Sequence, residues 1–167
     1  MPEAFDGSCS CGDVRYRLAS QPLVTHCCHC SYCQRETGTA FALNALIEAD
    51  RVELLSGDLE ESTIPSASGR GLIMVRCQSC HTLVWSHYLQ DRYICWVRVG
   101  TLINPSAIEP DVHIFTDSKL PWVTIPEAMP KFREFYDWDN REGIWSKESI
   151  KRDDLIMAKL EADQQPT

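Results

Sequence analysis

Gly7-Ser8-Cys9-Ser10-Cys11-Gly12-Asp13-Val14-Arg15-Tyr16-Arg17-Leu18 decides how the chain is read. Its first half sets two cysteines one residue apart. Its second half alternates Val14, Tyr16 and Leu18 with Arg15 and Arg17, the period-2 pattern of a half-buried strand. Short runs of the same kind recur at 41–47, 51–55, 71–76, 83–88, 92–102, 112–116 and 122–125. Turn signals separate them: Ser56-Gly57-Asp58, Ser68-Gly69, Asn104-Pro105 and Glu109-Pro110. The spacing predicts a mainly β domain of short antiparallel strands. Helical spacing is concentrated near the end, where Pro130, Phe132, Phe135 and Tyr136 predict a short amphipathic turn. Leu155, Ile156, Lys159 and Leu160 predict a helix within 150–162. The polar tail Asp163–Thr167 is expected to fray.

A chain of 167 residues, 44% of them hydrophobic, can build a core without relying on disulfides, so its nine cysteines need another explanation. The formal net charge of -8 has the wrong sign for holding a phosphate backbone, which argues against nucleic acid as a partner. The longest aliphatic stretch, Gly71–Val75, is far short of the ~20 apolar residues of a membrane helix. Met1–Asp6 has neither the basic start nor the apolar run of a secretory signal, so a reducing, cytoplasmic location with reduced thiols is expected. No Gly, Ser or Pro tract divides the chain and no period repeats, so residues 1–167 read as one domain. Nothing in the sequence sets the oligomeric state.

The cysteines fall into Cys9 and Cys11; Cys27, Cys28, Cys30 and Cys33; Cys77 and Cys80; and Cys95 alone. An odd count cannot pair off fully. Cys-x-Cys and Cys-x-x-Cys are the spacings by which a small loop aims sulfurs at one cation about 2.3 Å away, so zinc is the economical reading, with free thiols or disulfides as the alternative. Cys9, Cys11, Cys77 and Cys80 together supply four thiolates for a closed structural site. Cys28, Cys30 and Cys33 lie in one segment and supply three, leaving a fourth position open as catalytic zinc sites do. His26 or Cys27 could close that site, and Cys27/Cys30/Cys33 is a competing register. His29, between two ligands, is expected to point away. A three-ligand site holds metal less securely than a four-ligand one, so partial occupancy of the second zinc is expected.

The donors also constrain the chemistry. Three thiolates make zinc a weak Lewis acid, which disfavours water activation and favours capture of a further soft ligand. The implied substrate is a thiol, and its natural electrophile is a small aldehyde, which it would attack to give a hemithioacetal. An acidic thiol would need a cationic clamp, for which Arg35, Arg70, Arg76 and Lys119 are candidates.

The order of these motifs resembles the glutathione-dependent formaldehyde-activating family, the GFA or CENP-V-like domain. The resemblance runs from about Gly7 to Phe132, leaving 133–167 as a C-terminal extension. It is carried by Gly7–Val14, by Cys28-His29-Cys30-Ser31-Tyr32-Cys33-Gln34-Arg35, by Cys77-Gln78-Ser79-Cys80, by Gly100-Thr101-Leu102 and by His113–Trp122. It implies an Mss4-like, β-tent fold with a structural zinc on Cys9, Cys11, Cys77 and Cys80. It implies a second zinc on Cys28, Cys30 and Cys33, where the family joins glutathione and formaldehyde into S-(hydroxymethyl)glutathione, a carbon-sulfur lyase activity written in the synthetic direction. One departure stands out: the family usually has Gly after the last ligand pair, and this chain has His81, which must tolerate a positive φ or reshape the loop.

Other residues read more plainly. Cys95 is expected to be a small buried hydrophobe, and Trp85, Trp96 and Trp122 to be core. His87 and His113 lack a visible partner for general-base work. Gly38 could admit a ligand or simply make a turn. The rival to an enzyme is a zinc scaffold that uses its metals only to fold and to bind a protein partner.

Overall fold

The computed structural model describes residues 4–66, 69–88 and 91–164. Its elements are β1 (Phe5–Ser8), β2 (Arg15–Leu18), β3 (Val24–Cys28), α1 (Ser31–Thr37), β4 (Ala42–Glu48), β5 (Val52–Ser56), β6 (Leu59–Ile64), β7 (Leu72–Cys77), β8 (Leu83–Tyr88), β9 (Asp91–Arg98), β10 (Val112–Ile114) and α2 (Lys147–Gln164). A three-stranded sheet runs β1-β2-β5 and a seven-stranded sheet runs β10-β3-β4-β9-β8-β7-β6. Neighbouring strands are antiparallel except β10, which lies parallel to β3 with His113 opposite Cys27. The mainly β expectation therefore holds.

Alternation explains how one strand serves two cores. In β2, Tyr16 and Leu18 are buried and Arg15 and Arg17 exposed. They meet Ala45, Ile47, Val75 and Val97 of the large sheet in the first core. Leu46, one residue out of phase on β4, faces the second core with Val24, Ile94, Val112, Tyr136, Trp145 and Ile156. β4 is thus covered on both faces, which is why it reads as an apolar run rather than a clean alternation. The segment after β10 supplies the outer half of the second core. Tyr136 sits between His26 Nε2 and Trp145 Nε1, both 2.7 Å from its hydroxyl. α2 is fixed to the end of β4 by Arg152, which donates to both carboxylate oxygens of Glu48 at 2.7 and 2.5 Å.

Several expectations need correction. Residues 122–125 form no strand: they lie between Pro121 and Pro126, where ladder donors are missing, and Trp122 is 72% exposed rather than in the core. Residues 130–136 are not helical, because their backbone pairs with β10: His113 N–H donates to Pro130 O and Phe132 N–H to His113 O, both at 2.9 Å. The run 92–102 ends as a strand at Arg98 and continues as a 3-10 turn. The C-terminal helix is longer than 150–162. Ser68, of the expected Ser68-Gly69 turn, and Gln165–Thr167, of the expected frayed tail, lie outside the described residues, as do Met1–Glu3.

Gly7 is required by a close approach. Cross-strand pairing sets it opposite Tyr16, whose buried ring lies over it. An alanine Cβ here would stand 2.1 Å from Tyr16 Cζ. The ring cannot yield readily, because its hydroxyl is 2.6 Å from Thr101 Oγ1. Gly7→Ala is expected to cost about 1–3 kcal/mol, read as a lower denaturant midpoint at unchanged slope. An unchanged midpoint would show that the ring can move.

Candidate metal centres

Cys9 and Cys11 follow β1, Cys77 closes β7, and Cys80 comes three residues later, so the first group forms where two turns from distant parts of the chain meet. The Cys9 and Cys11 sulfurs are 3.4 Å apart and those of Cys11 and Cys77 3.8 Å, and all four lie within 4.8 Å of one another. Four thiolates at the corners of a tetrahedron about 2.3 Å from zinc would be about 3.8 Å apart, so the donor set fits such an ion. One backbone-to-side-chain bond crosses between the turns, and two others, one in each turn, shape them from within. Ser10 N–H donates to Thr82 Oγ1 at 3.2 Å, Val14 N–H to Cys9 Sγ at 3.3 Å, and Cys77 N–H to Thr82 O at 3.0 Å. Hydrogen bonding from Thr82 pulls the Cys80 thiol down to about 5. His81 takes φ +58°, the left-handed angle that the missing glycine would have adopted readily. Its Nδ1 lies 2.6 Å from Glu60 Oε1.

The second group is built by the end of β3 and the start of α1. Strand alternation sends Cys28 to one face and Cys27 to the other, and the sulfurs that come together are those of Cys28, Cys30 and Cys33. Cys30 is the N-cap of α1, its sulfur accepting from Cys33 N–H at 3.4 Å. Hydrogen bonds from the Cys28 and Cys33 thiols, aided by the Cys33 and Tyr32 amides, hold Cys30 far below the ordinary thiol range. Its bonds to Cys30 and Cys33, reinforced by burial, push Cys28 far up. A cation held by the trio would allow more of it to ionise. Gln34 braces the turn, donating to His29 O at 2.7 Å and Ser118 O at 2.8 Å. Gly38 closes α1 at φ +66°.

An open cleft of about 660 Å³ lies over α1 and the turn after it, lined by Gln34, Arg35 and Thr39 together with Leu120 and Trp122 and with none of the three cysteines in its wall. Of the four candidate clamps, Arg35 is the one on this cleft. Lys119 Nζ donates to Leu120 O at 3.1 Å and Val123 O at 2.7 Å, which pins the loop carrying Trp122. Arg76 pairs with Glu36, and Arg70 stacks 4.2 Å from the Tyr88 ring centre. Cys95 is buried beside His87, Trp85 is in the first core, and Trp96 packs against the second.

Sequence reasoning missed one grouping altogether. His29 does point away from the trio, and it meets Cys27 and His113, the three donor atoms lying within 4.8 Å of one another. Burial, with smaller contributions from His113 and Lys119, pushes the His29 imidazole down to about 4, and burial pushes the Cys27 thiol up to about 12. The period-2 relation of Cys27 and His29 was visible in the sequence. The arrival of His113 beside them was not.

A family model described as glutathione-dependent formaldehyde-activating enzyme matches residues 4–118. The chain belongs to this family. Its mainly β architecture agrees with the Mss4-like fold that the resemblance implied. A Halomonas elongata protein named "Putative glutathione-dependent formaldehyde-activating enzyme" is 30% identical over 136 residues, covering 72% of this chain and 80% of that one. The crystal structure of a Rhodobacter sphaeroides protein is 15% identical, covers 76% of this chain and 99% of its own, and superposes with a TM-score of 0.43. The family match stops at Ser118, just before the loop that carries Leu120 and Trp122 to the cleft. Among the described residues, no helix is long and apolar enough to cross a membrane.

Proposed function

We propose that this protein is a zinc-dependent carbon-sulfur lyase that joins a thiol, glutathione or one like it, to formaldehyde or a similar small aldehyde. The observation that carries this reading is the convergence of the Cys28, Cys30 and Cys33 sulfurs at the start of α1, the helix that also presents Arg35 to an open cleft. Cys28, Cys30 and Cys33 would hold one zinc and Cys9, Cys11, Cys77 and Cys80 another. A zinc on the trio would keep a substrate thiol ionised at neutral pH.

The chain's own groups then orient the thiol. The Arg35 guanidinium offers paired donors to a substrate carboxylate, while Leu120 and Trp122 offer an apolar wall. The Lys119 bonds to two loop carbonyls and the Gln34 bond to Ser118 O keep that wall in register with α1. In the reaction the sulfur lone pair forms a bond to the carbonyl carbon. The C=O π pair moves to oxygen, which takes a proton to give the hemithioacetal. A reducing compartment, in which all these thiols stay free, suits the proposal.

Exchange NMR on ¹³C-formaldehyde with glutathione tests it, comparing zinc-loaded protein, its Cys30→Ser variant and buffer, in which the adduct also forms. The intact protein is expected to speed exchange at least tenfold over both. Equal rates in all three samples would discard this substrate pair. If Cys30→Ser then also lowered the melting temperature, the zinc scaffold would become the better reading.

A further inference from the structure

We infer that Cys27, His29 and His113 form a third metal site, which takes a divalent first-row cation such as Zn²⁺ on one thiolate and two imidazole nitrogens. The site follows from the sheet. Cys27 and His29 lie two residues apart and share a face at the end of β3, while the parallel register of β10 places His113 opposite Cys27. The His29 amide donates to Ile114 O at 3.0 Å, which continues the pairing past the end of β3 and holds His29 beside its neighbour strand. All three side chains are buried, so the grouping is not a chance meeting of surface residues.

The geometry is that of a coordination shell with its cation left out. Cys27 Sγ lies 3.6 Å from His29 Nε2, against about 3.5 Å for a sulfur and a nitrogen on one tetrahedral zinc. His29 Nε2 and His113 Nδ1 are 2.9 Å apart, the length of a hydrogen bond, and would open to about 3.3 Å around the ion. Their ring planes are only 18° apart, with the two nitrogens facing each other. The second nitrogen of His29 is buried and has no hydrogen-bond partner among the described residues, although the Ala40 carbonyl is close enough to act on the ring. A small shift would let it donate there, which is how metal-bound histidines are commonly oriented.

This site differs in kind from the other two. One thiolate on a divalent cation leaves a net charge of +1, whereas three and four thiolates leave -1 and -2. The nitrogen-rich shell is therefore the stronger Lewis acid, and its cation would tie β10 to β3 directly behind the cysteine trio. Its presence does not depend on the activity proposed above.

X-ray absorption at the zinc edge tests the inference, because the two thiolate groups contain no imidazole. Protein saturated with Zn²⁺ and freed of excess ion is expected to show imidazole scattering on a minority of its zinc. Cys27→Ser and His113→Ala are each expected to lose about one zinc per chain, together with that scattering. Scattering without imidazole in the intact protein would overturn the site, as would imidazole scattering that survives in both variants. Should a variant fail to fold, the spectrum of the intact protein still decides. Partial filling of the cysteine trio changes the total zinc without adding imidazole, so failure there is told apart from failure here.

Discussion

A Cys77→Ser chain, or the intact chain stripped of metal by a strong chelator, is expected to lose its cooperative fold. Cys77 is fully buried and belongs to the first core together with Cys9, so the group it joins is continuous with the packing between the two sheets. Structural zinc on a closed thiolate site contributes about 10–16 kcal/mol in small domains, and a domain of this size has only about 5–15 kcal/mol of net stability. Loss of the cation would also leave four thiols crowded within 4.8 Å, where they cannot all ionise at once. Near-UV circular dichroism and a thermal melt read the outcome. A melting temperature within about 4 °C of the untreated protein would mean that the four-cysteine group contributes on the order of 1 kcal/mol, and would sink its structural role.

Ending the chain at Arg133 is expected to be nearly as damaging. We propose that residues 134–164 are part of a single domain rather than an appendage, although the family match stops at Ser118. Tyr136, Trp145 and Ile156 are buried against Val24, Leu46 and Val112. Two such aromatic side chains bury roughly 300–500 Å². At 25 cal/mol/Å² that is an upper bound of about 8–12 kcal/mol. The truncation would also strip His26 of its partner at Nε2 and Glu48 of Arg152. Trp145→Ala, a milder change, is expected to cost about 3–5 kcal/mol. A truncated chain that stays soluble and melts within a few degrees of the whole protein would show that the second core closes without this segment.

What the sequence disclosed follows the range over which each signal acts. The Cys-x-Cys and Cys-x-x-Cys spacings are local, and counting four thiolates was enough to join knuckles 66 positions apart, as the Cys11 and Cys77 sulfurs now show. The β2 strand was legible because Tyr16 and Leu18 alternate with two arginines on a sheet that is covered on one face. β3 was not, because Val24-Thr25-His26-Cys27-Cys28 is buried at every position and shows no period. β6 was missed for the opposite reason: Leu59-Glu60-Glu61-Ser62-Thr63-Ile64 is a mostly polar edge strand. Trp122 was misplaced because composition sends a tryptophan inward, whereas Lys119, three positions before it, pins the loop with Trp122 exposed over the cleft. The His113 encounter with Cys27 and His29 depends on a parallel pairing that no local spacing encodes.

The contrast in span between the two cysteine groups also bears on how the protein would acquire metal. Residues 28–33 form one continuous stretch, so a chain that has not folded, or is still emerging from the ribosome, can already wrap a cation there. The four-cysteine group cannot exist until β7 has been made and brought back to β1. An ion bound by both the folded and the unfolded chain cancels from the balance between them. Metal on the trio would therefore stabilise the fold little, and metal on the four-cysteine group would stabilise it almost in full. One element would then divide its work between the two places: early and dispensable for folding at one, late and committing at the other.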